Sequence, residues 1–335
     1  DDTADAGTTI VVGEGADGFT IHFADLDYRR RNSTGSCRFI QQANSGGPTK
    51  AFVFTNCTID HERHIVFQGA GTATDSLDLI FADCLLRYGA TFITCGQSGF
   101  LGDVTIHNCT IRRSASPVVG CQGSVLAFAG PADSVDSVSI RDSKVFIEGP
   151  ATSGRIWETS YRATDVLVDN TRFYYRAADY VGQSPVFDCA CSGRLSVVDS
   201  EILDQIDAGV RRGYTGIYDW VRLYPKSVGR IVGNTVSAIS PVAIGTSHAA
   251  VRVDVAGTSE IVIDANRITS GAGGVRIEAH ASGGDWALTN NRVHCDNVAA
   301  MSPYPPAMVL GEHVDPDGES RFDFGRVTVL DNTAV

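Results

Sequence analysis

Five carboxylates recur at matching places in the middle of this chain: Glu158 in IWE, Asp188 in VFD, Asp219 in IYD, Asp254 in RVD and Glu278 in RIE. Each closes a short strand-like run, and set side by side they make one acidic row. Carboxyls about 5 Å apart suit a retaining glycosidase, and carboxyls about 9 Å apart leave room for the water of an inverting one. Crowding two like charges raises the pKa of one of them, which fits that group for general acid work. Arg252 and Arg276 stand two residues before Asp254 and Glu278, placed either to hold an anionic sugar or to neutralise a solvated stripe. Tyr214, Trp220 and Tyr224 add aromatic platforms nearby.

Such a row needs a scaffold that returns the same position at a fixed spacing, and the sequence contains one. An octet of alternating apolar and variable residues recurs along the chain: FVFTNCTI from Phe52, VTIHNCTI from Val104, VSIRDSKV from Val138, VLVDNTRF from Val166, LSVVDSEI from Leu195, IVIDANRI from Ile261, WALTNNRV from Trp286 and VTVLDNTA from Val327. Weaker copies begin at Ile21, Leu79 and Gly229. The fifth slot reads Asp25, Asn56, Asp83, Asn108, Asp142, Asn170, Asp199, Gly233, Ala265, Asn290 and Asp331. Asn, Asp and Gly tolerate a left-handed backbone, so each octet is expected to bend there. Successive copies lie about 31 residues apart, in the range of stacked structural repeats. Between them run further strand-like segments such as CRFIQ, HIVFQ, SVLAF and TGIYDW. Strands a full turn apart can pair only in parallel, stacked along an axis. The expected fold is therefore all-β, a parallel β-helix solenoid of about eleven turns in which residues 1–335 form a single domain. In VTIHNCTI, the alternation puts Val104 and Ile106 in the core, Thr105 and His107 outside, and Asn108 on an inner corner, as part of an amide and carboxyl ladder.

These octets and their left-handed corners resemble the right-handed parallel β-helix superfamily, and the handedness is what that resemblance implies. The Asn-Cys-Thr strands at Asn56 and Asn108 also resemble the β-helical extracellular regions of the trypanosome dispersed gene family surface proteins, which implies an adhesive surface role. The motifs of β-helix enzymes are incomplete: Val275-Arg276-Ile277-Glu278 carries Glu where the polygalacturonase-like segment has Lys, and the acidic calcium cluster of pectate-lyase-like sites has no counterpart.

Composition narrows the partners. A net charge of −12 removes the counterion-release attraction to phosphate backbones, so nucleic acid is not an expected partner. No run of apolar residues is long enough for a membrane-spanning helix. Neither a dinucleotide fingerprint, a P-loop nor a zinc pattern is present, so no cofactor is expected. Nine cysteines are an odd number. Cys57, Cys84 and Cys109 share one slot of consecutive turns, within disulfide reach, and Cys95 with Cys121 is a second candidate pair; stacked buried thiols are the competing reading. Of the three N-x-S/T sequons, Asn32 lies in a polar loop and is the expected glycosylation site. Asn56 and Asn108, expected to point inward, should stay unmodified.

A solenoid exposes an unpaired layer at each end, and the sequence shows no capping element, so uncapped ends are expected. The expectation is an extracellular or cell-surface protein with a structural or adhesive role. It would stack end to end with copies of itself, or continue into further β-helix of the same chain, and carbohydrate is a further partner. The alternative is a polysaccharide lyase or glycoside hydrolase acting on acidic glycans through the acidic row.

Overall fold

The structure is a computed structural model. It describes residues 8–12, 20–30, 38–42, 50–61, 65–69, 77–89, 91–95, 101–113, 124–128, 134–148, 157–158, 163–175, 187–204, 221–224, 228–238, 251–255, 260–270, 275–279, 285–295, 308–312 and 326–334. They form three parallel sheets of eleven strands each, and every turn of the chain gives one strand to each sheet in the same order. One turn is a rung. The fourth, for example, consists of Ile93–Cys95 in the first sheet, Leu101–His107 in the second and Thr110–Arg113 in the third. At about 4.8 Å per strand layer, eleven rungs make a rod roughly 50 Å long.

The octets are the second-sheet strand, the bend and the start of the third-sheet strand. Every fifth-slot residue has positive φ, from 42° at Asn170 to 70° at Gly233. Even Ala265 adopts this conformation, at 54°. The alternation also holds within the second-sheet strand: Val104 and Ile106 are fully buried, while His107 is exposed.

The expected corner is inverted. Asn56 and Asn108 are exposed, and the sixth slot, holding Cys57 and Cys109, turns inward instead. A left-handed residue breaks the two-residue alternation of a strand, so the parity that puts Val104 and Ile106 inside does not carry through to Asn108. The fifth slot is an outer ladder, in which Asn56, Asn108 and Asn170 each donate a 2.6 Å hydrogen bond to Asp25, Asp83 and Asp142 of the preceding rung. Alternating amide with carboxylate keeps like charges off adjacent layers.

The core runs the length of the three sheets. Its first rungs are aromatic: Phe23, Phe54 and Phe81 stack with ring centroids 4.8 and 5.0 Å apart. Later rungs are filled by smaller groups such as Val166, Val168, Ile261 and Ile263. At the end rungs, Ile21, Val329 and Leu330 are 38%, 47% and 57% exposed.

Candidate functional site

The first sheet carries Glu158, Asp188, Asp254 and Glu278, and its register redistributes them. Glu158 on Trp157–Glu158 pairs with Asp188 on Phe187–Ala190. The next partner of Asp188 is Arg222, not Asp219, because the eighth first-sheet strand is Val221–Tyr224. Asp219 and the rest of the expected strand TGIYDW lie outside the described residues, and the strand that pairs here is Val221–Tyr224. The reason is core matching. Val221 and Leu223 align with Phe187 and Cys189 on one side and with Val251 and Val253 on the other, and Phe187, Cys189 and Val253 are fully buried.

Above Arg222 the same column continues through Arg252 and Arg276 to Val309. Asp254 and Glu278 pair with each other one column further along. The expected single row thus becomes two adjacent-rung pairs, Glu158 with Asp188 at the start of the arginine column and Asp254 with Glu278 on the same strands as Arg252 and Arg276. Each pair occupies neighbouring parallel strands about 4.8 Å apart. Tyr224 ends its strand opposite Ala190. Tyr214 and Trp220 lie outside the described residues.

The second polar system is internal. In the sixth slot, from Cys57 onward, the backbone N–H of one rung donates to the side chain of the next: Cys57 to Cys84 Sγ and Cys84 to Cys109 Sγ, both at 3.4 Å, then Cys109 to Ser143 Oγ at 3.0 Å. The chain goes on from Ser143 to Thr171, Ser200, Asn234, Asn266, Asn291 and Asn332. In the asparagine part the side-chain amides of Asn234, Asn266 and Asn291 also donate to the next residue's Oδ1. This spine satisfies backbone groups at a buried bend, which would otherwise cost about 1–3 kcal/mol each. It was readable in the sequence, since ten of the eleven sixth-slot residues are Cys, Ser, Thr or Asn and only Leu26 departs.

Cys57, Cys84 and Cys109 are therefore free, buried thiols engaged in the spine, not a disulfide, and Cys189 and Cys191 are buried. The Cys109 hydrogen bond holds the Cys84 thiol down at about 7. Cys109 is pushed up by Cys84 and by burial. Cys95 is in register with Gly69 and Phe128; its proposed partner Cys121 lies outside the described residues, as does Asn32. The sequons at Asn56 and Asn108 are on the surface after all, with each amide engaged by an aspartate.

Outer charges cluster by sheet as well. On the second sheet, burial raises the pKa of Asp136, helped by Asp103 and Asp78. Hydrogen bonds from Thr289 and Asn290 lower that of Asp264. On the third sheet, the Arg112 guanidinium lies 4.7 Å over Phe146, which stacks on Tyr174.

Comparison with known protein families, with curated proteins and with solved structures gives no match. The parallel solenoid stands on its own geometry, and the likeness to trypanosome surface proteins receives no support from relatives.

Proposed function

We propose that this protein is a structural or adhesive rod displayed outside the cell, extended by stacking at its end rungs on copies of itself or on further β-helix. The observation that carries this reading is the combination of three uninterrupted eleven-stranded ladders with exposed apolar residues at both end rungs, Ile21 at one and Val329 and Leu330 at the other. Exposed apolar residues on edge strands favour further pairing. A head-to-tail contact of this kind does not close on itself and so extends as a filament.

Sedimentation and electron microscopy over a range of concentrations should show rods that lengthen as concentration rises. A monomer at every concentration would remove self-stacking. Incubation with acidic glycans should release no new reducing ends; release that disappears in Asp188→Asn would overturn the non-enzymatic reading in favour of a lyase or hydrolase.

A further inference from the structure

We propose that Asn56 and Asn108 are two N-glycosylation sites carried on one outer corner of the rod. This deepens the reading of a protein displayed outside the cell and rests on it, because the sugar donor meets only chains on a secretory route. Transfer joins the asparagine Nδ2 to C1 of N-acetylglucosamine and breaks the bond from that carbon to a lipid-linked pyrophosphate. The lipid pyrophosphate leaves together with one amide proton.

The corner supplies the setting. Asn56 and Asn108 open the segments Asn56-Cys57-Thr58 and Asn108-Cys109-Thr110, each of which is the acceptor pattern Asn-x-Ser/Thr. Both asparagines sit at the left-handed bend, with φ of 53° and 49°, and both are exposed. Nothing in the fold calls for the threonine. Its place, two residues after the bend, holds Leu85, Lys144, Arg172, Glu201 and Arg267 in other rungs. Asn170 and Asn290 occupy the same outer ladder and are equally exposed, but Arg172 and Arg292 stand where the threonine would be. The corner therefore offers two acceptors and two built-in comparators. Asn56 and Asn108 are two rungs apart, with Asp83 between them, so the attachment points lie about 10 Å apart along the axis.

The ladder also tolerates the modification. Asn56 donates from Nδ2 to Asp25 Oδ1 and Asn108 to Asp83 Oδ1, both at 2.6 Å. A side-chain amide has two N–H donors, and glycosylation removes one, so a donor to the preceding rung is left. The intervening residues, Cys57 and Cys109, are buried in the spine and clear of the sugar. Conversion of the asparagines to aspartate is the opposite case. It would set a carboxylate between Asp25 and Asp83 at the first site, and between Asp83 and Asp142 at the second, and like charges opposite each other on neighbouring strands destabilise a sheet. Two oligosaccharides on this corner keep neighbouring rods from packing sideways against it.

The test routes the full chain through the secretory pathway of a eukaryotic cell and maps its glycopeptides by mass spectrometry. Asn56 and Asn108 should both carry glycan, and Asn170 and Asn290 none. Thr58→Val and Thr110→Val should each remove one glycan. Arg172→Thr completes the acceptor pattern after Asn170, with loss of the ion pair between Arg172 and Glu201, and should add one. Glycans trimmed to the first sugar should leave the melting temperature at that of the unmodified chain made in bacteria. Amidase release, which leaves aspartate at both sites, should lower it. Bare asparagine at both sites would overturn the proposal, as would an unmodified Asn170 in Arg172→Thr or a melt lowered by the single sugars. Whether rods lengthen with concentration is measured on the unmodified chain, so the sites and the rod can fail separately.

Discussion

From Cys84 to Asn332, one side chain per bend accepts a backbone N–H of the preceding rung that would otherwise be buried without a partner. Sulfur does this at 3.4 Å in Cys57–Cys84 and Cys84–Cys109, whereas the asparagine oxygens do it at 2.9–3.1 Å. A thiol is a weak acceptor, and a hydroxyl in the same slot is a better one, as Ser143 demonstrates at 3.0 Å. Cys84→Ser should therefore be close to neutral. Cys84→Ala, which strands the Cys57 N–H, should cost about 1–3 kcal/mol. Urea unfolding of the two variants checks the difference, and equal losses would mean that packing, not hydrogen bonding, fixes the slot. The left-handed conformation of the neighbouring fifth slot was legible in the sequence because it follows from local backbone sterics, which favour Asn, Asp and Gly there. Its outward direction was not, since the same conformation resets the alternation by which inside and outside were read.

At the scale of the sheet, two aspartates near strand ends of the second sheet have pKa values shifted in opposite senses. Asp264 is held low by Thr289 and Asn290, so its contribution is present above the unfolded carboxylate range and lost as pH falls through its folded value. Asp136 is held high by burial and by Asp103 and Asp78, so its charge begins to cost stability as pH rises past the unfolded value. Asp136→Asn should consequently stabilise the fold at about pH 7 and not at about pH 3, while Thr289→Val should destabilise it at about pH 7 and not at about pH 3. Thermal melts at both values test the two signs. The strands themselves were legible wherever apolar alternation was strong, as at Val104 and Ile106. The eighth first-sheet strand was misplaced because IYDW and VRLY are equally plausible as isolated strands; only the fit of Val221 and Leu223 to the buried residues of the adjacent rungs distinguishes them.

For the whole rod, the two end rungs are apolar but their ladders do not match. A copy stacked in register would set Asp25 against Asp331 in the fifth slot and Leu26 against Asn332 in the sixth. The first contact pairs two carboxylates, and the second offers no acceptor to the spine. In the proposed self-stacking, the exposed Ile21, Val329 and Leu330 would act against a charge penalty. Asp331→Asn removes the like-charge contact with Asp25, and it should promote end-to-end association, most clearly at low salt where screening is least. Light scattering would register the shift to larger species, and unchanged association would mean that the ends do not meet in register.

The amino-acid sequence by itself determined the repeat, the parallel stacking and the left-handed bend in each rung, because these depend on short-range sterics and on a pattern copied from turn to turn. The tertiary structure alone decided which corner residue faces inward and which charges share a column. Those outcomes depend on residues some 25 to 44 positions apart, whose register is set by packing across rungs. In that way the expected single row of acids became two adjacent-rung pairs along the column of Arg222, Arg252 and Arg276, and three cysteines placed within disulfide reach became links in a hydrogen-bonded spine.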